Sequence, residues 1–418
     1  MKFFKENIKS SFDFIKVFIK WFVIASLVGL VGGVVGCIFH ESIDIATHLR
    51  EEKSWIIFLL PIGGLVIAAI YSFFRSKGRI DTNRVLEAVR ENEKVPFVMI
   101  PLIFVSTVIT HLLGGSAGRE GAALQLGGSI GYNIGKTFKL NKKDLHIIVM
   151  SGMSAVFSAL FGTPLTAAFF AMEVVCVGML HYAAIVPTVI SAIVGYKISL
   201  VYGLSPVRFL NIEVLDISFG MFVKVAALSV LCALVSILFC YTIKKCEDYF
   251  EKWFKNIYVR AFVGGVIIVI LTLLVRSYDY NGAGMDVIKN AMAGNAKYEA
   301  FLLKIIFTAI TISAGFKGGE IVPTFFIGST FGCILGPVLG LDAGFSSAIG
   351  FVALFCGVVN CPVASVMLAL EVFGANGILF FALASGVSFM MSGYSGLYKS
   401  QKIFYSKIDD DVIDIYTK

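Results

Sequence analysis

Thr163-Pro164-Leu165, leading to Ala171-Met172-Glu173-Val174, is a segment that this chain writes twice, for Cys361-Pro362-Val363 leads in the same way to Ala369-Leu370-Glu371-Val372. The step from proline to glutamate is nine residues in both copies, and Pro362 lies 198 residues after Pro164. Upstream, Gly118-Arg119-Glu120-Gly121 followed by Gly127-Gly128-Ser129-Ile130-Gly131 is echoed 200 residues later by Gly318-Gly319-Glu320-Ile321 followed by Gly328-Ser329-Thr330-Phe331-Gly332. Further upstream still, Asp81-Thr82-Asn83-Arg84-Val85-Leu86 stands to the first half as Ala283-Gly284-Met285-Asp286-Val287-Ile288 stands to the second. Three landmarks in the same order, each displaced by nearly half of 418 residues, indicate a duplicated fold. The expected organisation is one transmembrane domain over 1–402, its halves at about 1–210 and 211–402, with a short cytoplasmic tail at 403–418.

The composition says what kind of duplicated fold this is. Hydrophobic residues make up 57% and charged residues 15%, with a mean hydropathy of +0.86, which excludes an ordinary water-soluble enzyme. Apolar runs recur from 22–39 to 379–391, and the reading is an all-α polytopic membrane protein. Several runs are too short to cross roughly 30 Å of hydrocarbon at about 1.5 Å per residue, and glycine and proline interrupt them. Broken helices survive at that depth only where they line a cavity, as in a transporter. If each half crosses an odd number of times, the halves face opposite ways. That predicts an inverted repeat with a pseudo-two-fold axis in the membrane plane and a site at its centre.

The formal charge of +7 is distributed as short basic clusters between apolar runs, the pattern of cytoplasmic anchoring, and no nucleic-acid partner is expected. Lys2, Lys5, Lys9, Lys16 and Lys20 precede the first run, and Lys399, Lys402, Lys407 and Lys418 follow the last, so both ends are expected in the cytoplasm and the protein in the inner cell membrane. Residues 1–21 mix lysines with Phe3, Phe4, Phe12, Phe14 and Phe18, an amphipathic interfacial helix without a small-residue cleavage site. The segments 81–94 and 205–216 are expected to be connecting loops, and 244–256 the longest polar loop. Eight scattered cysteines read as core thiols, and five histidines without ligand spacing give no metal site.

Chemistry concentrates in 114–121, where small residues open onto a helix start. Backbone amides can converge there on one point, and the helix N-terminus adds partial positive charge, which suits a desolvated anion. Glu120 sits where that anion would sit. Ionised, its carboxylate can occupy the anion's place; protonated, it can leave, which links anion passage to proton movement.

These residues resemble the CLC family of anion channels and anion/proton antiporters. The features that carry the likeness are Gly118-Arg119-Glu120-Gly121, the duplicated proline-to-glutamate segment, Gly319-Glu320-Ile321-Val322-Pro323 as the counterpart of the family's Gly-x-Phe-x-Pro loop, and Tyr398 near the end of the membrane domain. The resemblance covers about 23–402. It implies a homodimer in which each subunit has its own pathway, with anions held by helix N-termini at the subunit's centre. It implies Glu120 as external gating glutamate and Tyr398 as the central tyrosine, with Tyr394 a neighbouring candidate. Gly118, Arg119 and Gly121 would frame the first anion loop, the amides of Ile321 and Val322 the second, and Thr82 and Asn83 the third. No cofactor is implied, halide and protons being substrates.

The departures bear on the subtype. Asp81-Thr82-Asn83-Arg84-Val85 stands where the family commonly has Gly-Ser-Gly-Ile-Pro, so a hydroxyl survives at Thr82 without its glycines or proline. The internal glutamate of the family's exchangers falls, aligned on Pro164, at Val174, with Glu173 beside it. Glu320 occupies a slot that is apolar in chloride-handling members and resembles the fluoride/proton branch, which also dispenses with the internal glutamate. Thr82 speaks against that branch, which is expected to carry methionine there. Glu173 and Glu371, being paired by the repeat, are expected to serve the scaffold through hydrogen bonds. The function expected is exchange of a small monovalent anion, fluoride or chloride, for protons, and the alternative is a passive anion channel of the same fold, favoured by Val174. No Ser/His/Asp constellation or nucleotide loop suggests an enzyme.

Overall fold

A computed structural model describes residues 2–74, 81–91, 93–210, 212 and 217–418, with side chains described from Ser11 onward except Phe12. Its first helix, α1 (Lys2–Glu52), is unbroken over 51 residues. The expected interfacial helix and the first apolar run are therefore one element, and the side chains of Lys2, Lys5 and Lys9 lie outside the described residues. Nothing between them stops a helix: there is no proline, and Gly29 and Gly33 serve close contacts with Val194 and Gly195.

The duplication is visible helix by helix. The first half continues with α2 (Leu60–Phe73), α3 (Thr82–Glu91), α4 (Met99–Leu112), α5 (Glu120–Thr137), α6 (Lys142–Phe161), α7 (Pro164–Glu173) and α8 (Ile185–Tyr202). The second runs α9 (Phe219–Trp253), α10 (Ile257–Val275), α11 (Met285–Met292), α12 (Ala300–Ser313), α13 (Ile321–Val338), α14 (Ala343–Val359), α15 (Pro362–Phe373) and α16 (Ile378–Met391). Among the described residues, seven helical segments are long and apolar enough to cross a membrane, and five further apolar helices are shorter. Proline opens both α7 and α15, where its missing N–H would have no partner in any case.

At the centre, α5 packs on α6 and α13 on α14 through the repeated glycines. A Cβ on Gly127 would come within 2.1 Å of the Gly152 carbonyl oxygen, and one on Gly328 within 2.3 Å of that of Gly350. Small residues at this spacing let two membrane helices touch backbone to backbone. The halves are joined by a reciprocal contact as well. Glu173 accepts the N–H groups of Val363 (3.2 Å) and Ala364 (2.9 Å) at the start of α15. Glu371 accepts those of Leu165 (2.9 Å) and Thr166 (2.8 Å) at the start of α7. Each carboxylate satisfies amides that a helix start leaves over, so these glutamates have the scaffold role expected of them.

Three expectations are corrected. Segment 81–94 is not a loop, since α3 occupies most of it: Asp81 accepts the Arg84 N–H (3.0 Å), and Val85, Leu86 and Val89 are buried as one apolar stripe. The polar segment 244–256 is largely helical, with α9 running through Lys244, Lys245 and Glu247 to Trp253. The described part of 205–216 is indeed irregular, and residues 211 and 213–216 lie outside the described residues. The expected tail instead folds onto the membrane domain. Strand β2 (Lys402–Tyr405) lies between β1 (Cys176–Val177), to which it is parallel, and β3 (Val412–Tyr416), to which it is antiparallel, so a small sheet supplements the α-helical architecture.

Candidate functional site

The two loops singled out by the repeat meet on the pseudo-two-fold axis. Gly118 and Gly319 exchange both main-chain hydrogen bonds, each N···O distance being 2.6 Å. Space there is so limited that a Cβ on Gly121 would sit 2.8 Å from the Cα of Gly319. Immediately beyond, Glu120 is the first residue of α5 and Glu320 directly precedes α13, so two symmetry-related helix starts bring their amides and two carboxylates to one place.

The carboxylates look into different surroundings. Glu120 is buried, and its Oε2 accepts the N–H of Arg119 at 3.0 Å. The guanidinium of Arg119 is shared: Nη1 bonds Asp44 (2.9 Å), which His40 also contacts at 3.0 Å, while Nε stays 3.8 Å from Glu120 Oε1, so the side chain of Arg119 pairs with the gate only at long range and its main chain makes the closer contact. Glu120 lines a cavity of about 540 Å³ together with Asp44, Arg50, His111, Arg119 and Val322. Its rim includes Asp279, outside the helices, where burial pushes the carboxyl up but the 2.7 Å bond and the charge of Lys297, with a bond from Ser277, together hold it below the usual range. Glu320 is half-buried, and the charged groups acting on it are Glu247, Lys317 and Asp81. Its neighbour Glu247 pairs with Lys399 at 2.7 Å.

Tyr398 is buried in an irregular segment after α16, and its hydroxyl has no hydrogen-bond partner among the described residues. Glu320 and Glu120 both lie close enough to act on it electrostatically. A buried polar group left unpaired is costly, which makes this hydroxyl a candidate donor for a small ligand. Tyr394, the other candidate, is engaged by Ser406 (3.1 Å). Thr82 is buried at the start of α3, where its Oγ1 accepts from Gln125 Nε2 at 2.8 Å, leaving the hydroxyl proton available for donation. Asn83 is engaged elsewhere: Oδ1 accepts from the Ser400 N–H at 3.0 Å, and its main-chain oxygen accepts from Ser400 Oγ at 3.0 Å. Ile321 and Val322 form the first turn of α13, and both are buried.

Gln125 escaped the sequence reading. Its signal was the i+4 spacing from Gly121, which places both on one helix face. Asp44, Arg50 and His111 escaped too, because only the folded chain gathers them around Glu120. Val174, at the internal glutamate position, is fully buried and its carbonyl accepts from Gln401 Nε2 at 3.0 Å.

Helix starts that converge on a shared centre, two carboxylates and a buried phenol define a membrane transporter built on an inverted repeat. A family model described as voltage gated chloride channel matches residues 63–393, and the chain belongs to that family, the CLC proteins. It is 33% identical over 403 residues to a chloride/fluoride channel protein of Pseudomonas syringae pv. tomato, covering 94% of this chain and 89% of that one. An H(+)/Cl(-) exchange transporter, ClcA of Vibrio cholerae, is 24% identical over 82% of this chain and 80% of its own length. Among solved structures, a CLC-type fluoride/proton antiporter superposes with a TM-score of 0.88 at 29% identity, covering 92% of this chain and 98% of the other. A slow cyanobacterial Cl-/H+ antiporter gives 0.74 at 19% identity over 89% and 94%, which is a likeness of fold.

Proposed function

We propose that this protein exchanges a small monovalent anion, fluoride in preference to chloride, for protons across the inner cell membrane, as a homodimer with one pathway per subunit and both termini in the cytoplasm. The observation that carries the reading is the pair Glu120 and Glu320 at symmetry-related helix starts beside the orphan hydroxyl of Tyr398. Glu120 supplies the outer gate: its carboxylate rests on the Arg119 amide, one of the donors an anion would use, and yields it on protonation. Thr82 and Tyr398 supply hydroxyl donors, and the amides of Gly121, Ile321 and Val322 supply the rest, the expected donor at Gly118 being taken by its 2.6 Å bond to Gly319 O. Glu320, near Glu247 and Asp81, supplies the inner acid that Val174 cannot. Support for fluoride comes from Glu320 and from the likeness to a fluoride/proton antiporter.

The test is purified protein in liposomes, with fluoride and chloride efflux followed together with internal pH. The expected result is proton movement driven uphill by an anion gradient, larger for fluoride. Anion flux with no pH change would replace the antiporter by a channel, the reading that Val174 favours.

A further inference from the structure

We infer that the segment 402–418 is a strap that seats Tyr398 in the anion site, so that Thr417 and Lys407, far from any anion, are positioning residues for binding. This rests on the reading of Tyr398 as an anion ligand. The tyrosine has no helix or strand of its own: residues 394–401 are irregular, and a phenol carried on such a segment would lose much of its binding contribution to conformational freedom. The core holds the segment on either side of the tyrosine, through Leu397 N–H on Val358 O (3.1 Å) and Ser400 N–H on Asn83 Oδ1 (3.0 Å), and the chain after the strand pair adds the bond to Tyr398 itself. Thr417 Oγ1 donates to the main-chain oxygen of Tyr398 itself at 2.7 Å. On either side, the N–H of Thr417 donates to Gln401 O (3.1 Å) and that of Lys418 to Tyr394 O (2.8 Å), so the segment is bound at its two ends and its middle.

The strap is itself anchored to the repeat core. β2 pairs with β1, which directly follows α7 and Val174. The seated segment is tied to the same core, since Gln401 Nε2 donates to Val359 O (2.8 Å) and Val174 O (3.0 Å), and Asn360 Nδ2 donates to Ser395 O at 2.9 Å. From the hairpin turn, Lys407 Nζ donates to Asn360 Oδ1 (2.5 Å), Phe389 O (2.9 Å) and Ser392 Oγ (3.1 Å), reaching the ends of α14 and α16. A lysine with three oxygen partners over the Phe389 ring is not a membrane-surface charge but a peg. Thr417 also fills the space beside Gly396, where a Cβ would lie 2.8 Å from its Cγ2.

The experiment measures fluoride binding by calorimetry with full-length protein carrying Thr417→Val, Thr417→Ser, Tyr398→Phe or Thr417→Val with Tyr398→Phe. Thr417→Val keeps the packing against Gly396 and removes the donor. It should weaken binding roughly fivefold, the scale of one lost neutral hydrogen bond, while Thr417→Ser stays within about twofold of the parent. In the Tyr398→Phe background Thr417→Val should cost nothing further, whereas a merely structural lesion would weaken binding equally in both backgrounds. Lys407→Gln, at the far end of the strap, should behave as Thr417→Val does and carries the test if that variant does not fold. If Tyr398→Phe weakens binding and neither strap substitution does, or if the losses add, the strap is overturned. If Tyr398→Phe binds fluoride unchanged, it is the assignment of Tyr398 that falls.

Discussion

Glu120 is held in a position that suits the gating role proposed for it without any large movement. Its carboxylate takes the Arg119 amide at 3.0 Å, a contact that an anion at the α5 start would otherwise make, and Asp44 keeps the Arg119 guanidinium from pairing fully with it. Glu120→Gln removes the titrating group and retains the shape. The expected outcome in liposomes is anion flux at or above the parent rate with proton movement abolished; retained proton coupling would take Glu120 out of the mechanism. Thr82 is the second residue whose role follows from one bond. Because Gln125 occupies its oxygen as a donor, the hydroxyl proton is left for donation, and no acceptor takes it among the described residues. Thr82→Val, nearly isosteric, should weaken anion binding by roughly threefold to tenfold in calorimetry, the range of a hydrogen bond worth about 0.5–1.5 kcal/mol. An unchanged affinity would give the third anion loop to the main chain of α3 alone.

At the level of elements, the repeated proline-to-glutamate segment turns out to be a mutual clasp. α7 carries the acid that caps α15, and α15 carries the acid that caps α7. Glu371→Ala should therefore lower stability by about 1–3 kcal/mol, read as an earlier thermal unfolding transition, because it strands two amides and the Thr166 hydroxyl. Proton coupling in the folded fraction should be unchanged, and its loss would turn Glu371 into a pathway residue. The spacing that makes the clasp was legible in the sequence, as were both helix starts at proline. Other elements were not. α3 reads as a loop because Arg84, Glu87, Arg90 and Glu91 dominate a ten-residue segment, although Val85, Leu86 and Val89 lie on one helical face. The end of α9 is disguised in the same way by its charges. Gly127 and Gly328 were visible as markers of duplication, yet their packing role depends on the partner carbonyls of Gly152 and Gly350, which no local pattern announces.

For the molecule as a whole, inversion gives two similar glutamates different surroundings. The repeat places Glu120 and Glu320 at equivalent helix starts but facing opposite sides, so one meets the cavity of Asp44 and Arg50 and the other meets Glu247, Lys317 and Asp81. The duplication was readable in the offset of 200 residues and the inversion from an odd number of crossings per half, whereas the strap over Tyr398 was not, because 403–418 carries no long apolar run and its hairpin is seated by pairing with the distant β1. A proton that reaches Glu120 from one side needs an acid on the other, and Val174 offers only a carbonyl already taken by Gln401. Glu320→Ala should then abolish proton movement in liposomes while leaving anion flux and the melting temperature close to those of the parent, since the side chain caps no helix in the other half and only its main-chain oxygen is used by Thr324. Full coupling in Glu320→Ala would send protons through water or Glu173 and remove the strongest support for the fluoride branch. A lowered melting temperature with coupling intact would make Glu320 a structural residue, and the inner acid would have to be sought among its neighbours Glu247 and Asp81.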